Sequence, residues 1–302
     1  MKPFFALSRT THGVLDIAAP CFCALLWLGG FPRWQVILLS LFTGFAAYTA
    51  IYALNDLVGI LVDREKFTGG INPGYSVEAS DMRYPMAQNA LSYRDGILWF
   101  SVWFVLAVIG SYLINPFIVI ILVTAAVLEV FYCLLFKVTY LRTLVSGLVK
   151  SSGPIAAVFA VDPKPSPYLL VLVVAWMFFW EIGGQNIPAD WNDTVEDRRV
   201  NAKTIPLQFG FGKAALIIMT ALGLTVIEGS FLPLVSPANL GWLYVLASGV
   251  IGYFLLLKPG FQLYQSKTGG QAARLFDKAS YYPLSQFVLI SLFLVANKVF
   301  GA

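Results

Sequence analysis

The sequence is short of the groups on which most soluble enzymes rely. It has one histidine, His12, and three cysteines, Cys21, Cys23 and Cys133. One imidazole cannot build a His-rich metal site and argues against a Ser–His–Asp triad. The cysteines lie in or beside apolar runs at no metal-ligand spacing, so they read as small core residues. His12 reads as a polar residue near the start of the first apolar run. Charge is scarce too: Asp, Glu, Lys and Arg make up 12% of the chain, about half the share usual in a soluble domain. The net charge is +4 with no basic block, which excludes a nucleic-acid-binding surface of the usual kind. No convincing cleavage site follows the first apolar run, so it is not read as a removable signal peptide.

What is abundant is hydrocarbon. Of the 302 residues, 58% are hydrophobic, and the mean hydropathy is +0.75. A helix needs roughly 20 mainly apolar residues to cross a bilayer core. Nine segments can be drawn near 14–30, 35–54, 97–114, 117–135, 144–161, 168–188, 214–233, 240–257 and 283–300. They are too long and unbroken for barrel strands, and only helices satisfy such backbones in lipid. The expected fold is an all-α integral membrane protein occupying 1–302 as one domain.

Lys and Arg set the orientation. With the N-terminus inside, 17 of the 20 basic residues fall on the inner side, leaving Arg33, Lys164 and Lys298 outside. A wrong span count would scramble that partition, so the asymmetry supports the count as well. The expectation is a multi-pass protein with a cytoplasmic N-terminus and the C-terminus opposite, in the inner membrane if the source is bacterial.

Two acidic segments follow even-numbered spans. The second span runs into Asn55-Asp56-x₆-Asp63 and the sixth into Asp190-x-x-Asp193-x-x-x-Asp197. Asp56 and Asp190 are 134 residues apart, as are Asp63 and Asp197. This reads as two four-helix repeats plus one helix, with cytoplasmic cap loops near 55–95 and 189–213. Steps of three and four put the second set of carboxylates on one helical face. Such a cluster near a membrane is costly unless a cation neutralises it. Oxygen-only ligands suit Mg²⁺, which also binds substrate phosphates. Two such faces opposite each other could hold two Mg²⁺ around a diphosphate. Lys137 and Arg142, between spans 4 and 5, together with Arg64, Arg83, Arg198, Arg199 and Lys203, could neutralise its oxygens, although basic residues in inner loops are often only solvated.

These segments resemble the paired Asp-rich motifs of the UbiA superfamily of intramembrane prenyltransferases. Asp197-Arg198-Arg199-Val200-Asn201-Ala202-Lys203-Thr204-Ile205-Pro206-Leu207 resembles that family's stretch after its second motif, Arg83-Tyr84-Pro85-Met86 its element after the first, and Tyr132 and Lys137 its tyrosine and lysine between spans 4 and 5. The resemblance covers roughly residues 9–300. It implies nine helices around a central cavity and Mg²⁺-dependent transfer of a polyprenyl group from its diphosphate to an acceptor, usually aromatic, as in quinone-type lipid biosynthesis. It assigns Asn55, Asp56, Asp63, Asp190, Asp193 and Asp197 to the metal–diphosphate site, and Lys137, Tyr132 and Arg83 to phosphate or the pocket. One departure stands out: Gly59 occupies the position of an expected aspartate, the position Asp193 holds in the other segment. Asn55, Asp56 or Asp81 could compensate. The Gly-rich stretch between Asp63 and Arg83 suits a lid or a tolerant surface loop.

Glu181, Gln185 and Asn186 lie on the sixth span, one to two turns before Asp190. They are read as lining the acceptor pocket or supporting Asp190, against a rival reading as hydrogen bonds between helices. Glu129 and Glu228 are weaker candidates. The 8 Trp, 14 Tyr and 24 Phe could stabilise an allylic cation through their faces, though most rings in a membrane protein pack or face lipid. Two other functions remain open at this point: prenyl transfer to a glycerol or sugar lipid, and secondary transport.

Overall fold

The computed structural model describes residues 1–66, 68, 82 and 84–300. Among them, nine helical spans are long and apolar enough to cross a membrane: α1 (Thr10–Leu28), α2 (Trp34–Lys66), α3 (Tyr93–Ile114), α4 (Pro116–Lys137), α5 (Arg142–Val161), α6 (Pro167–Asn192), α7 (Ile205–Val235), α8 (Gly241–Ser266) and α9 (Gly269–Val299). A short helix, Lys2–Leu7, precedes α1.

Local sequence explains where the helices start. Asn115 caps α4, its side chain accepting from Phe117 N at 2.9 Å, and Pro116 opens the helix where a missing N–H costs nothing. Ser92 caps α3 in the same way through Asp95 N at 3.1 Å. Within α7 the backbone breaks at Gly210, whose φ of 76° suits a residue without a side chain.

Two spans depart from the sequence reading in ways that matter for the site. The apolar run of the second span ends near 54, but its helix continues unbroken to Lys66, so the first acidic segment is helical rather than part of a cap loop. The sixth span is not a uniform helix. A π-helical stretch covers Glu181–Asn186, helix resumes over Ile187–Asn192, and a turn at Asp193 separates it from the short helix Thr194–Arg199. The expectation that Asp190, Asp193 and Asp197 share one continuous helical face is therefore corrected: the chain turns between the first and the last.

Packing explains the π stretch. A Cβ on Gly183 would come within 2.9 Å of Ala221 on α7, and one on Gly184 within 2.9 Å of Ala279 on α9. Two adjacent glycines let this stretch sit between both neighbours. The main apolar core lies here, around Trp176, Trp180, Leu222, Leu256 and Tyr282, with Phe22 of α1. The spans α2, α3 and α4 contribute to smaller clusters, around Leu57 and Met86 and around Ala46 and Leu122, while α5 adds Val158 to the main core. Between the two groups lies a cavity of about 680 Å³ with wall residues from α1, α2, α4, α5, α6 and α9.

Candidate active site

Both acidic segments reach one end of this cavity. Asn55 and Asp63 of α2 line it, as do Asp190 of α6 and Asp193 in the turn that follows. Asp56 and Asp197 are buried and are not among the described lining residues. A lysine ties the segments together. Lys66, the last residue of α2, places Nζ 2.7 Å from Asp197 Oδ1 and 3.2 Å from Asp193 Oδ2. Arg199 Nη1 donates to the Lys66 carbonyl at 3.1 Å. Residues 127 to 133 positions apart in the chain thus share one ion-pair network.

Asp190 and Asp56 also have cations from elsewhere. Arg142, at the start of α5, donates through Nη2 to Asp190 Oδ1. Its guanidinium lies 4.5 Å from the ring centroids of both Tyr132 and Phe136, which fix its plane. Asn186 Nδ2 donates to the Tyr132 hydroxyl at 2.9 Å, linking the π stretch to the same cluster. Arg9 reaches Asn55 Oδ1 and Asp56 Oδ1, each at 3.4 Å, and lies over the rings of Tyr52 and Tyr84. Asn55 also donates to Glu129 at 2.5 Å. Lys137 pairs with Glu65 at 2.6 Å at the half-exposed rim. Burial pushes the Asp197 carboxyl up to about 7, and Lys66 pulls it the other way.

The sequence assignments separate on the structure. Asn55, Asp63, Asp190, Asp193, Lys137, Tyr132, Arg142, Glu181, Gln185 and Asn186 all contribute to the cavity wall. The Gln185 amide, however, donates to Phe276 O at 3.2 Å and to Gly184 O at 3.1 Å, so it binds α6 to α9. Lys203 is not among the described lining residues; its backbone N–H donates to Phe136 O at 2.8 Å. Arg83, Asp81 and most of the Gly-rich stretch before Arg83 lie outside the described residues.

Beside the cavity is a polar group that the motifs did not indicate, of which His12, Tyr52 and Lys150 line the wall. Asp16 on α1 accepts from Lys150 of α5 and from the Tyr52 hydroxyl of α2, and His12 Nε2 lies 3.6 Å from it. Lys150 also donates to the Tyr52 hydroxyl at 2.7 Å, and His12 stacks on Phe276. One clue was present in the sequence: Asp16 and Lys150 are opposite charges inside apolar runs, and such residues pair across helices. Beside them, Glu181 Oε1 accepts from Ser146 at 2.6 Å. Its Oε2, like Asn186 Oδ1, is buried with no hydrogen-bond donor among the described residues.

A fully buried apolar cavity would not need this many charges. Charged groups gathered at the Lys66 end, with mostly apolar walls elsewhere, suit a ligand with a multiply charged head and a hydrocarbon tail. The family comparison agrees. The UbiA prenyltransferase family model matches residues 17–289. The chain belongs to the UbiA prenyltransferase family.

Among solved structures, this family member resembles a UbiA homologue from Aeropyrum pernix K1, with a TM-score of 0.74, 16% identity and coverage of 96% of this chain and 98% of that one. It also resembles a UbiA homologue from Archaeoglobus fulgidus bound to DMAPP and Mg²⁺, with a TM-score of 0.66, 16% identity and coverage of 96% and 99%. A digeranylgeranylglyceryl phosphate synthase matches with a TM-score of 0.66, 16% identity and coverage of 97% of each chain. At these identities the likeness is one of fold. A search of curated protein sequences returned no match. Membership of this family removes the transporter reading.

Whether the residues suit Mg²⁺ can be judged from the donors. They are carboxylates and an amide, hard oxygen groups, and Asp190 Oδ2 and Asp197 Oδ2 are buried with no hydrogen-bond donor among the described residues. Among those residues no three His, Cys, Asp or Glu side chains converge into a closed metal cage. That is compatible with Mg²⁺, which takes one or two carboxylates and fills its remaining positions with water and substrate phosphate oxygens.

Proposed function

We propose that the protein transfers a prenyl group from an allylic prenyl diphosphate to an aromatic acceptor within the membrane. The observation that carries this reading is the Lys66 bridge, which draws the two acidic segments to one mouth of a mainly apolar cavity. The diphosphate sits at that mouth and the prenyl chain lies along the apolar wall. We assign this mouth to the cytoplasmic side, where the basic residues gather.

Asn55, Asp63, Asp190 and Asp193 are the lining residues that would hold Mg²⁺. When bound, Mg²⁺ neutralises diphosphate oxygens and makes the diphosphate a better leaving group. Arg142, fixed between two rings and Asp190, directs positive charge at the same oxygens, and Lys137 can leave its exposed partner Glu65 to join it. The C1–O bond breaks with its electron pair going to the diphosphate, and a carbon of the acceptor ring bonds to C1. The acceptor's hydroxyl meets Glu181 Oε2 and Asn186 Oδ1, two of the buried acceptors without a donor among the described residues. The ring then gives its displaced proton to the released diphosphate, which restores aromaticity. The flanking Tyr48, Tyr52 and Tyr132 rings exclude water from the cation.

The structural likeness to a digeranylgeranylglyceryl phosphate synthase supports a second reading, with a glycerol-type lipid as acceptor. The test is diphosphate release by purified protein with Mg²⁺ and dimethylallyl, geranyl or geranylgeranyl diphosphate. Aromatic hydroxy acids are supplied in one arm and geranylgeranylglyceryl phosphate in the other. Prenylated product in the first arm supports the main reading, product only in the second supports the alternative, and release in neither overturns both.

A further inference from the structure

The internal alignment pairs Gly59 with Asp193, so the first segment lacks the acid that the second has. The structure shows what fills that gap. The Asp63 carboxylate folds back over Gly59, where a Cβ would lie 3.0 Å from Asp63 Oδ2. Facing it, the acid without a counterpart, Asp193, is neutralised by Lys66, which also holds Asp197.

Lys66 is not a passing surface lysine. Its side chain is 6% exposed, its carbonyl is held by Arg199, and its ammonium lies 5.5 Å from the centre of the Phe136 ring. It also ends α2, where unpaired carbonyls favour a cation. A buried ammonium between two carboxylates loses heavily if one partner is withdrawn, which opposes its displacement by an incoming metal.

We propose that Lys66 is a resident cation that takes the place of one of two divalent ions, so that the site holds its diphosphate with a single Mg²⁺. This rests on the diphosphate reading above and changes its stoichiometry. The missing acid at position 59 and the lysine at position 66 are then two parts of one exchange: a carboxylate is lost where a metal is no longer held, and the charge returns as an ammonium.

The test counts metal directly. Purified protein is dialysed to equilibrium against Mn²⁺ with inorganic diphosphate, and retained Mn²⁺ is measured per chain and by electron paramagnetic resonance. Wild type is expected to keep one Mn²⁺ with an uncoupled single-ion spectrum. Lys66→Gln is expected to keep two, with the broadened spectrum of a coupled pair, and Lys66→Arg one. Two ions in wild type, or none, overturns the proposal. So does one ion in a Lys66→Gln protein that melts cooperatively; should that variant not fold, the wild-type count decides alone. Absence of prenyl transfer with one ion still bound counts against the reaction and for the site.

Discussion

The two acidic segments have the same outer spacing but different backbones, and the difference shows how the labour is divided. The first rides on a continuous 33-residue helix. Its Asp63 lines the cavity and its Asp56 is held by Arg9, the residue before α1. The second follows a π stretch, turns at Asp193, and receives its cations from other parts of the protein: Arg142 from α5 and Lys66 from α2. The straight segment delivers a lysine to the bent one, and Arg199 of the bent one donates back to that lysine's carbonyl. An acid buried with a designated cation is set in position before any ligand arrives, which holds for both lining acids of the bent segment, Asp190 and Asp193.

That contrast predicts unequal losses. Asp190→Ala and Asp193→Ala should each lower kcat/KM by about 10³-fold, the scale for removing a preorganised electrostatic contact. Asp56→Ala, behind the lining, should cost nearer ~10-fold, on the usual range for an indirect supporting partner. Steady-state kinetics with a fixed prenyl diphosphate measures this, and equal losses would remove the division. Next in size, Arg142→Ala leaves Asp190 buried without its partner. A penalty of about 3–5 kcal/mol in stability is expected, seen as a large drop in melting temperature in detergent. Arg142→Lys should fold better yet stay impaired, since an ammonium cannot reproduce a planar group held between two rings.

These residues also show what a sequence can reveal. The spans were readable because lipid imposes a length on apolar runs, and Asp190, Asp193 and Asp197 because a charge cluster beside lipid needs a reason. Lys66 was not readable. It is an ordinary basic residue in an inner segment until the second helix is seen to run on past its apolar stretch and bring it to Asp197. The turn at Asp193 was hidden for a similar reason. Spacing of three and four implies one face only while the helix is unbroken, and the helix is interrupted at Asp193. Gln185 lines the cavity and also ties helices together, and its partners Phe276 and Ser280 lie on a helix that only the fold brings near.

The π stretch offers a smaller perturbation. Gly184→Ala would set a methyl 2.9 Å from Ala279 Cβ and push α6 and α9 apart. Overpacking of this kind costs about 1–3 kcal/mol. The turn at Asp193 should move with it, so KM for the diphosphate should rise along with the loss of melting temperature. A Gly184→Ala protein that is destabilised but keeps its KM would uncouple the π stretch from the bent segment.

The smallest expected effect is one of pH, and it isolates Asp197. Its carboxyl is raised to about 7 in the fold, first by burial, against about 3.9 in an unfolded chain. The folded protein therefore binds this proton more tightly than the unfolded one. The stability this contributes is complete below the unfolded value and is lost as pH rises through the folded one. Chelator-treated protein should melt at a higher temperature at pH 5 than at pH 8. Asp197→Asn, which cannot ionise, should show a smaller difference between the two. Other groups titrate in that window, so the decisive quantity is the gap between wild type and variant. An identical pH response in both would mean that Lys66 already compensates the Asp197 charge in full, and the two segments would then be joined more tightly than burial alone implies.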